Sequence, residues 1–214
     1  RPLIGPLLSE TDAAALEAAF RQFLALRAPL LARRVREGRL IEGHGDLRAE
    51  NICLTDPPTI FDCVEHQAAF RCCDVINDLS FLVMDLEARG RADLARAAWR
   101  RCMMGITDRD APALLPFYAC HRALVRAKVR ALAWQQQRGR PGAQRLLRIA
   151  RGHVRQARAY ARQFAPPRLL LVSGLIGTGK STLARGLAAR LGAAWLRTDE
   201  IRLREFGRLR RRGV

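Results

Sequence analysis

Lysine is almost missing from this chain of 214 residues: of its 38 basic residues only Lys128 and Lys180 are lysines, and the other 36 are arginines. Arginine in place of lysine, with abundant alanine, is what a GC-rich genome writes, so the net charge of +18 is no evidence by itself of a nucleic-acid partner. Acidic residues are scarce in one half only. Residues 1–90 carry 10 arginines against 14 aspartates and glutamates, whereas residues 91–214 carry 28 basic residues against 6 acidic ones. Aromatic residues make up 6% of the chain, and those among the arginines do not interleave to offer single-stranded nucleic acid a stacking platform. No apolar run reaches the roughly 18 residues of a membrane-spanning helix, so no membrane partner is expected. The six cysteines, Cys53, Cys63, Cys72, Cys73, Cys102 and Cys120, include no pair at C-x-x-C spacing, and Cys120-His121 has no zinc partner at useful spacing. Reduced thiols in a cytoplasmic protein are therefore expected.

What is present is enough apolar material, 49% of residues, to pack a core. Residues 11–37 read as a helix or two, with Asp12 as N-cap and Ala15, Leu16, Ala19, Phe20, Phe23 and Leu24 at helical spacing. Ile52-Cys53-Leu54 and Thr59-Ile60-Phe61 flank Asp56-Pro57-Pro58 as a hairpin. Residues 74–164 are helical again, broken near Gly90, between Gly105 and Pro116, and between Gly139 and Gly142. The last helix, 143–164, divides into two stripes. Arg145, Arg148, Arg151, Arg155, Arg158 and Arg162 form one, and Leu146, Ile149, Ala150, Ala157, Tyr160, Ala161 and Phe164 the other. Pro166-Pro167 ends it and separates a domain over residues 1–165 from one over 168–214. Trp99, Trp134 and Trp195 read as core, and His66, His121 and His153 as structural or exposed.

One of the two lysines sits in the strongest motif. Gly174-Leu175-Ile176-Gly177-Thr178-Gly179-Lys180-Ser181 matches G-x-x-x-x-G-K-[ST], the Walker A phosphate loop. The apolar run Leu169 to Ser173 before it suits a buried parallel strand. A helix over about 180–191 follows, capped by Gly192, and Ala194-Trp195-Leu196 suits a second strand. In such a loop the glycines let backbone N–H groups turn inward around phosphate oxygens, and the helix N-terminus adds partial positive charge. Gly174, Gly177, Thr178, Gly179, Lys180, Ser181 and Thr182 are thus the candidate ATP contacts, with Lys180 reaching the β- and γ-phosphates and the Ser181 hydroxyl placed for Mg²⁺. Asp199 stands either as an acceptor contact or as the N-cap of a helical stretch from Ile201 to Phe206.

A second constellation is His44-Gly45-Asp46-Leu47-Arg48-Ala49-Glu50-Asn51, with Asp62 after the hairpin. Phosphoryl transfer needs a carboxylate to take or orient the acceptor's proton, and an amide and a second carboxylate to hold Mg²⁺ on the nucleotide phosphates. Asp46, Asn51 and Asp62 supply these types in that order, at H-x-D-x-x-x-x-N spacing. The segment resembles the catalytic loop of the aminoglycoside phosphotransferase-like kinases, which share the protein-kinase fold. Ile60 to Glu65 resembles their metal-binding strand, Cys73 to Leu82 the helix start whose aspartates brace the loop, here Asp74 and Asp78, and Tyr118 to Val129 a later helix. The order of the two modules resembles bacterial proteins described as bifunctional aminoglycoside phosphotransferase/ATP-binding proteins.

The resemblance implies an architecture of α+β followed by α/β: a mostly helical C-terminal lobe of a protein-kinase-like fold, then the start of a P-loop NTPase domain. It also implies an N-terminal lobe with a phosphate-binding lysine. No such lobe precedes residue 10, so a chain cut at both outer ends, or a degraded gene, is expected. The leading functional expectation is an ATP- and Mg²⁺-dependent kinase acting on a small-molecule hydroxyl, with Asp46 and His44 catalytic, Asn51, Asp62 and Ser181 at metal, and a P-loop module attached. The acceptor is open, since aminoglycosides are cations and half of this chain is strongly basic. One alternative is a catalytically incomplete kinase-like regulator whose P-loop binds or hydrolyses ATP. Another is a nucleic-acid-binding protein using the arginine stripe, which lacks interleaved aromatics and any recognition fold.

Overall fold

The computed structural model describes residues 5–65, 67–165, 169–175, 177–191 and 193–203. The chain is mostly helical and divides into two units, residues 1–166 and 167–214.

The first unit opens on α1 (Glu10–Arg36), 27 residues with Pro29 inside. Its N-cap is Ser9, whose hydroxyl accepts from the Asp12 N–H at 3.1 Å. The cap thus lies three residues before the expected Asp12, which falls inside the first turn and pairs with Arg158 at 3.0 Å. Ser9→Ala removes this acceptor and is expected to lower stability by about 1 kcal/mol, read as a shifted urea midpoint at constant slope. Leu16, Ala19 and Phe23 form the buried stripe of α1, whereas Ala15 and Leu24 face outward.

β1 (Leu40–Glu42) then pairs antiparallel with β4 (Cys72–Asp74), in the register Leu40↔Asp74 and Glu42↔Cys72. Between them lie a 3₁₀ turn (Ala49–Asn51) and the expected hairpin, β2 (Ile52–Cys53) against β3 (Thr59–Ile60). Four helices follow: α2 (Val75–Ala88), α3 (Ala92–Gly105), α4 (Ala111–Gln136) and α5 (Ala143–Phe164). The break expected between Gly105 and Pro116 is shorter. Pro112 occupies the first turn of α4, where no N–H partner is lost, and Pro116 lies buried further along the same helix.

Two aspects of the sequence let α4 and α5 pack closely. Ala119, Ala123, Ala127 and Ala131 recur every four residues on α4, none more than 3% exposed. Ala150, Ala157 and Ala161 of α5 are likewise buried, so small side chains line both helices. Leu16, Phe81, Met84, Cys120 and Tyr160 fill the adjoining core. Burial pushes the Cys120 thiol up to about 12, and its Sγ lies 3.2 Å from the Ala157 carbonyl. A second cluster gathers Phe23, Ile76, Leu114 and Phe117, with Phe23 and Phe117 stacked at 4.1 Å. The tryptophans expected in the core are only half-buried: Trp99 edges this cluster, and Trp134 and Trp195 each lie under an arginine.

The second unit carries α6 (Lys180–Leu191), as the sequence predicts. The two strands expected beside it do not form among the described residues. Leu169, Leu170 and Leu171 stand 80%, 61% and 83% exposed, and Ala194 to Leu196 is likewise unpaired. A strand exists by exchanging backbone hydrogen bonds with a neighbour, and no described residue of this unit offers one. Gly192, Phe206, the boundary prolines and His66 lie outside the described residues.

Candidate functional site

The loop after β1 is held from one side by α2. Gly43 continues the β1–β4 ladder, its N–H donating to the Arg71 carbonyl at 3.0 Å. The next two N–H groups, of His44 and Gly45, both donate to the Asp78 carboxylate, at 2.6 and 3.0 Å. Asp78 is 7% exposed in the first turn of α2 and approaches so closely that a Cβ on residue 43 would lie 2.3 Å from its Oδ2. Gly45 takes φ +80°, a left-handed turn that glycine reaches without strain. Asp85, seven residues on and thus two helical turns along the same face, accepts the Ala49 N–H at 3.1 Å. Two carboxylates of one helix therefore hold both ends of the segment 44–49, and only the first was expected from the sequence.

The second expected brace, Asp74, acts elsewhere. It caps α2 by accepting the Ile76 N–H at 2.9 Å, and it takes both Nε and Nη2 of Arg34. Arg34 is 1% exposed and also meets Asp108 at 2.8 Å, so one buried guanidinium ties α1, the start of α2 and the loop before α4 together. Its hydrogen bond to Asp74 holds the guanidinium well above its usual range against the cost of burial. Arg122 of α4 completes the support: it lies 3.8 Å from Asp78 and donates to Asn77 at 3.0 Å. Burial pushes the Arg122 guanidinium down, and Asp78 opposes that.

Within the braced loop the predicted residues come together. The Asp46 N–H donates to His44 Nδ1 at 3.3 Å, and His44 Nε2 lies 2.8 Å from the Phe61 carbonyl. This pairing assigns the neutral Nε2–H tautomer, with Nε2 the donor to Phe61. The His44 carbonyl accepts from the Val64 N–H at 3.0 Å, so His44 clamps the strand-end segment 61–64 from two sides. Asn51 is 3% exposed. Its amide donates to the Asp46 carbonyl at 3.1 Å, and its own carbonyl accepts the Phe61 N–H at 3.0 Å. Asp62, next in the chain, is exposed and takes φ +61°, the one non-glycine residue in that region among the described residues. A non-glycine residue there carries backbone strain, which the two hydrogen bonds to Phe61 offset.

Asp46 itself is half-buried and accepts from Arg48 through Nε at 2.9 Å and Nη2 at 2.6 Å. Arg48, 8% exposed, also pairs with Glu50. No group of three His, Cys, Asp or Glu side chains that could enclose a metal occurs among the described residues. An amide and one carboxylate still suit Mg²⁺, which keeps waters and nucleotide phosphates as most of its ligands.

In the second unit, Gly177 (φ +85°) and Gly179 (φ +79°) both take the left-handed conformation immediately before α6. The first N–H groups of a helix lack intrahelical partners, which is what a phosphate oxygen at such a loop requires. The Thr178 hydroxyl donates to the Leu175 carbonyl at 2.8 Å, and the Lys180 ammonium donates to the same oxygen. Gly174 closes the turn, where a Cβ would lie 3.1 Å from Thr178 Oγ1. Ser181 and Thr182 are exposed in the first turn of α6. Asp199 lies inside a helical stretch already begun at Thr198, so it is not the cap expected. Its neighbours Arg197 and Glu200 pair at 3.1 Å.

Residues 169–213 match the family model described as an AAA domain. Over 188 residues the chain is 41% identical to the uncharacterized protein Rv2004c of Mycobacterium tuberculosis, and equally to the uncharacterized protein Mb2027c of Mycobacterium bovis. The alignment covers 86% of this chain and 36% of each relative, so the chain spans about a third of the length of those relatives. No solved structure matches. No described helix is long and apolar enough to cross a membrane. The match and the loop geometry agree on one statement: the second unit carries a nucleotide-binding P-loop module of the kind found in kinases.

Proposed function

We propose that the chain is an ATP-dependent phosphotransferase: its first unit moves a γ-phosphoryl group onto a small-molecule hydroxyl, and its P-loop binds a second nucleotide. The observation that carries the reading is the double acceptance of the His44 and Gly45 N–H groups by Asp78, which fixes the loop carrying Asp46, whose carbonyl accepts from the Asn51 amide. In this reading Asp46 accepts the proton of the acceptor hydroxyl as its oxygen attacks the γ-phosphorus, and the bond to the β,γ-bridging oxygen of ADP breaks. Asn51 and Asp62 would hold Mg²⁺, which when bound neutralises charge developing on the transferred phosphoryl group. His44 spends both ring nitrogens inside the loop, so its part is to position Asp46 and Asp62. Asp74 supports the site at one remove, through α2. The unit boundaries near residue 166, the seven P-loop contacts from Gly174 to Thr182 and Asp199 as an acceptor contact belong to the same proposal.

A second reading has one observation in its favour. Arg48 holds Asp46 through two hydrogen bonds, which withdraws the carboxylate from proton transfer unless an acceptor displaces the guanidinium. In that reading the first unit is a silent regulator and only the P-loop handles nucleotide. Nucleotide binding tests the part both readings share. Lys180→Ala removes one charge-assisted contact to phosphate and is expected to weaken MgATP binding by about 10- to 100-fold in an equilibrium titration. Unchanged affinity would exclude the P-loop as the binding site.

A further inference from the structure

The arginine stripe of α5 does not act as one surface. Arg158 pairs with Asp12 at 3.0 Å and Arg151 donates to the Pro6 carbonyl at 3.0 Å. Arg145 and Arg155 instead line a cleft of about 810 Å³ between α2, α4 and α5, facing Arg126 and Arg130 of α4. Among the described residues none of these four guanidinium groups makes an ion pair or a side-chain hydrogen bond, and the Nε of Arg126 and of Arg130 is buried without an acceptor. The acids sharing the cleft are already engaged. Asp85 takes Arg89 and the Ala49 N–H, Glu50 takes Arg48 and Arg89, and Glu87 takes the Tyr160 hydroxyl. The Arg126 guanidinium is pushed down by burial and by the nearby charges of Arg48 and Arg130. A folded protein that gathers unpaired cations in a concave site gains by neutralising them.

The cleft also borders the braced loop. Asp85, which lines the cleft, holds the loop's Ala49 N–H, Glu50 follows that loop directly, and Arg126 feels the charge of Asp46. We infer that this cleft seats the phosphate group of the acceptor, so that the kinase-like unit acts on a hydroxyl-bearing phosphate monoester. The inference rests on the phosphotransferase reading for the word acceptor, but the anion site stands on its own residues. A phosphate dianion fits better than a carboxylate because several guanidinium groups line the one cleft, and each fork can meet two phosphate oxygens. It also accounts for a kinase-like site whose surroundings are basic, where a cationic acceptor would be repelled.

The test titrates glycerol phosphate, a phosphate monoester bearing hydroxyls, into the full chain carrying Lys180→Ala, without nucleotide, so that the glycine loop does not compete. Saturable binding is expected, with shifts of the Arg126 and Arg130 Nε–H resonances. Arg126→Gln and Arg130→Gln should each weaken it about tenfold, while Arg148→Gln, on the exposed part of the stripe, leaves it unchanged. If a glutamine variant fails to fold by circular dichroism, Arg126→Lys keeps the charge, loses the fork and should still bind more weakly. Absence of binding, or equal weakening by Arg148→Gln, overturns the cleft. Asp46→Asn separates the two claims. Phosphate-ester binding with no Asp46-dependent transfer to any acceptor refutes the kinase reading and leaves the cleft. Asp46-dependent transfer that ignores Arg126 and Arg130 refutes the cleft and leaves the kinase reading.

Discussion

Asp46→Asn should lower phosphoryl transfer by about 10²- to 10⁴-fold while leaving nucleotide affinity and folding unchanged. The size follows from what the substitution removes. Asparagine keeps the shape of the side chain, but its amide has no basic oxygen to take the acceptor's proton. The loop itself should survive, since its position depends on backbone N–H groups reaching Asp78 and Asp85, not on the Asp46 side chain. The one structural change is local: Arg48 loses one of its two charged partners and keeps Glu50. Full transfer in the variant would show that Asp46 serves only as an anchor for Arg48. Single-turnover transfer from labelled ATP, with the thermal midpoint as a folding control, separates these outcomes.

Arg34→Ala is expected to cost about 3–5 kcal/mol at neutral pH, because it leaves two buried carboxylates without their cation. Asp74 and Asp108 have side chains only 3% and 2% exposed. Asp74 keeps the Ile76 N–H and the Tyr118 hydroxyl, and Asp108 keeps the Asp110 and Ala111 N–H groups with only the weaker charge of Arg39 nearby. The pH dependence has a definite sign. Burial pushes the Asp108 carboxyl up, but the hydrogen bond from Arg34 and the Asp110 N–H hold it below the ordinary value of 3.8. A depressed carboxyl contributes stability above its unfolded pKa and loses it as the pH falls through the folded one. The wild-type chain therefore loses this contribution only in acid. The variant, whose Asp108 carboxyl is no longer held down by Arg34, is relieved by protonation there. Denaturant unfolding of the two chains should differ most well above pH 3.8 and converge as the pH falls below it. A constant difference across that range would mean that lost packing of the arginine stem, not charge, carries the effect.

How far the sequence foretold this molecule depended on the range of the interaction involved. Helices α5 and α6 and the Ile52–Ile60 hairpin were legible because apolar spacing, proline and glycine are local signals. The cap of α1 was misplaced because Ser9 and Asp12 both suit the role, and only the backbone decides which oxygen meets which N–H. Asp78 could be assigned through resemblance. Asp85 could not, although the spacing of seven on one helix face was there to be read. The Arg34 network joins residues 40 and 74 positions apart, and no local pattern encodes such a meeting. The strand expected over Leu169 to Ser173 failed for a related reason: an apolar run states a preference, and a partner strand has to satisfy it. The arginine stripe looked uniform along the sequence, and only the packing of α4 against α5 turned part of it into a cleft.

The most direct test of the two-site account measures transfer of labelled phosphate from MgATP to glycerol phosphate, together with release of inorganic phosphate, side by side in the wild-type chain, Lys180→Ala, Asp46→Asn and the double variant. The account predicts two separable losses. Asp46→Asn removes transfer and spares binding at the P-loop, whereas Lys180→Ala weakens that binding and spares Asp46-dependent transfer. Release that falls only in Lys180→Ala, with transfer indifferent to Asp46, would contradict it and leave the P-loop as the one working site.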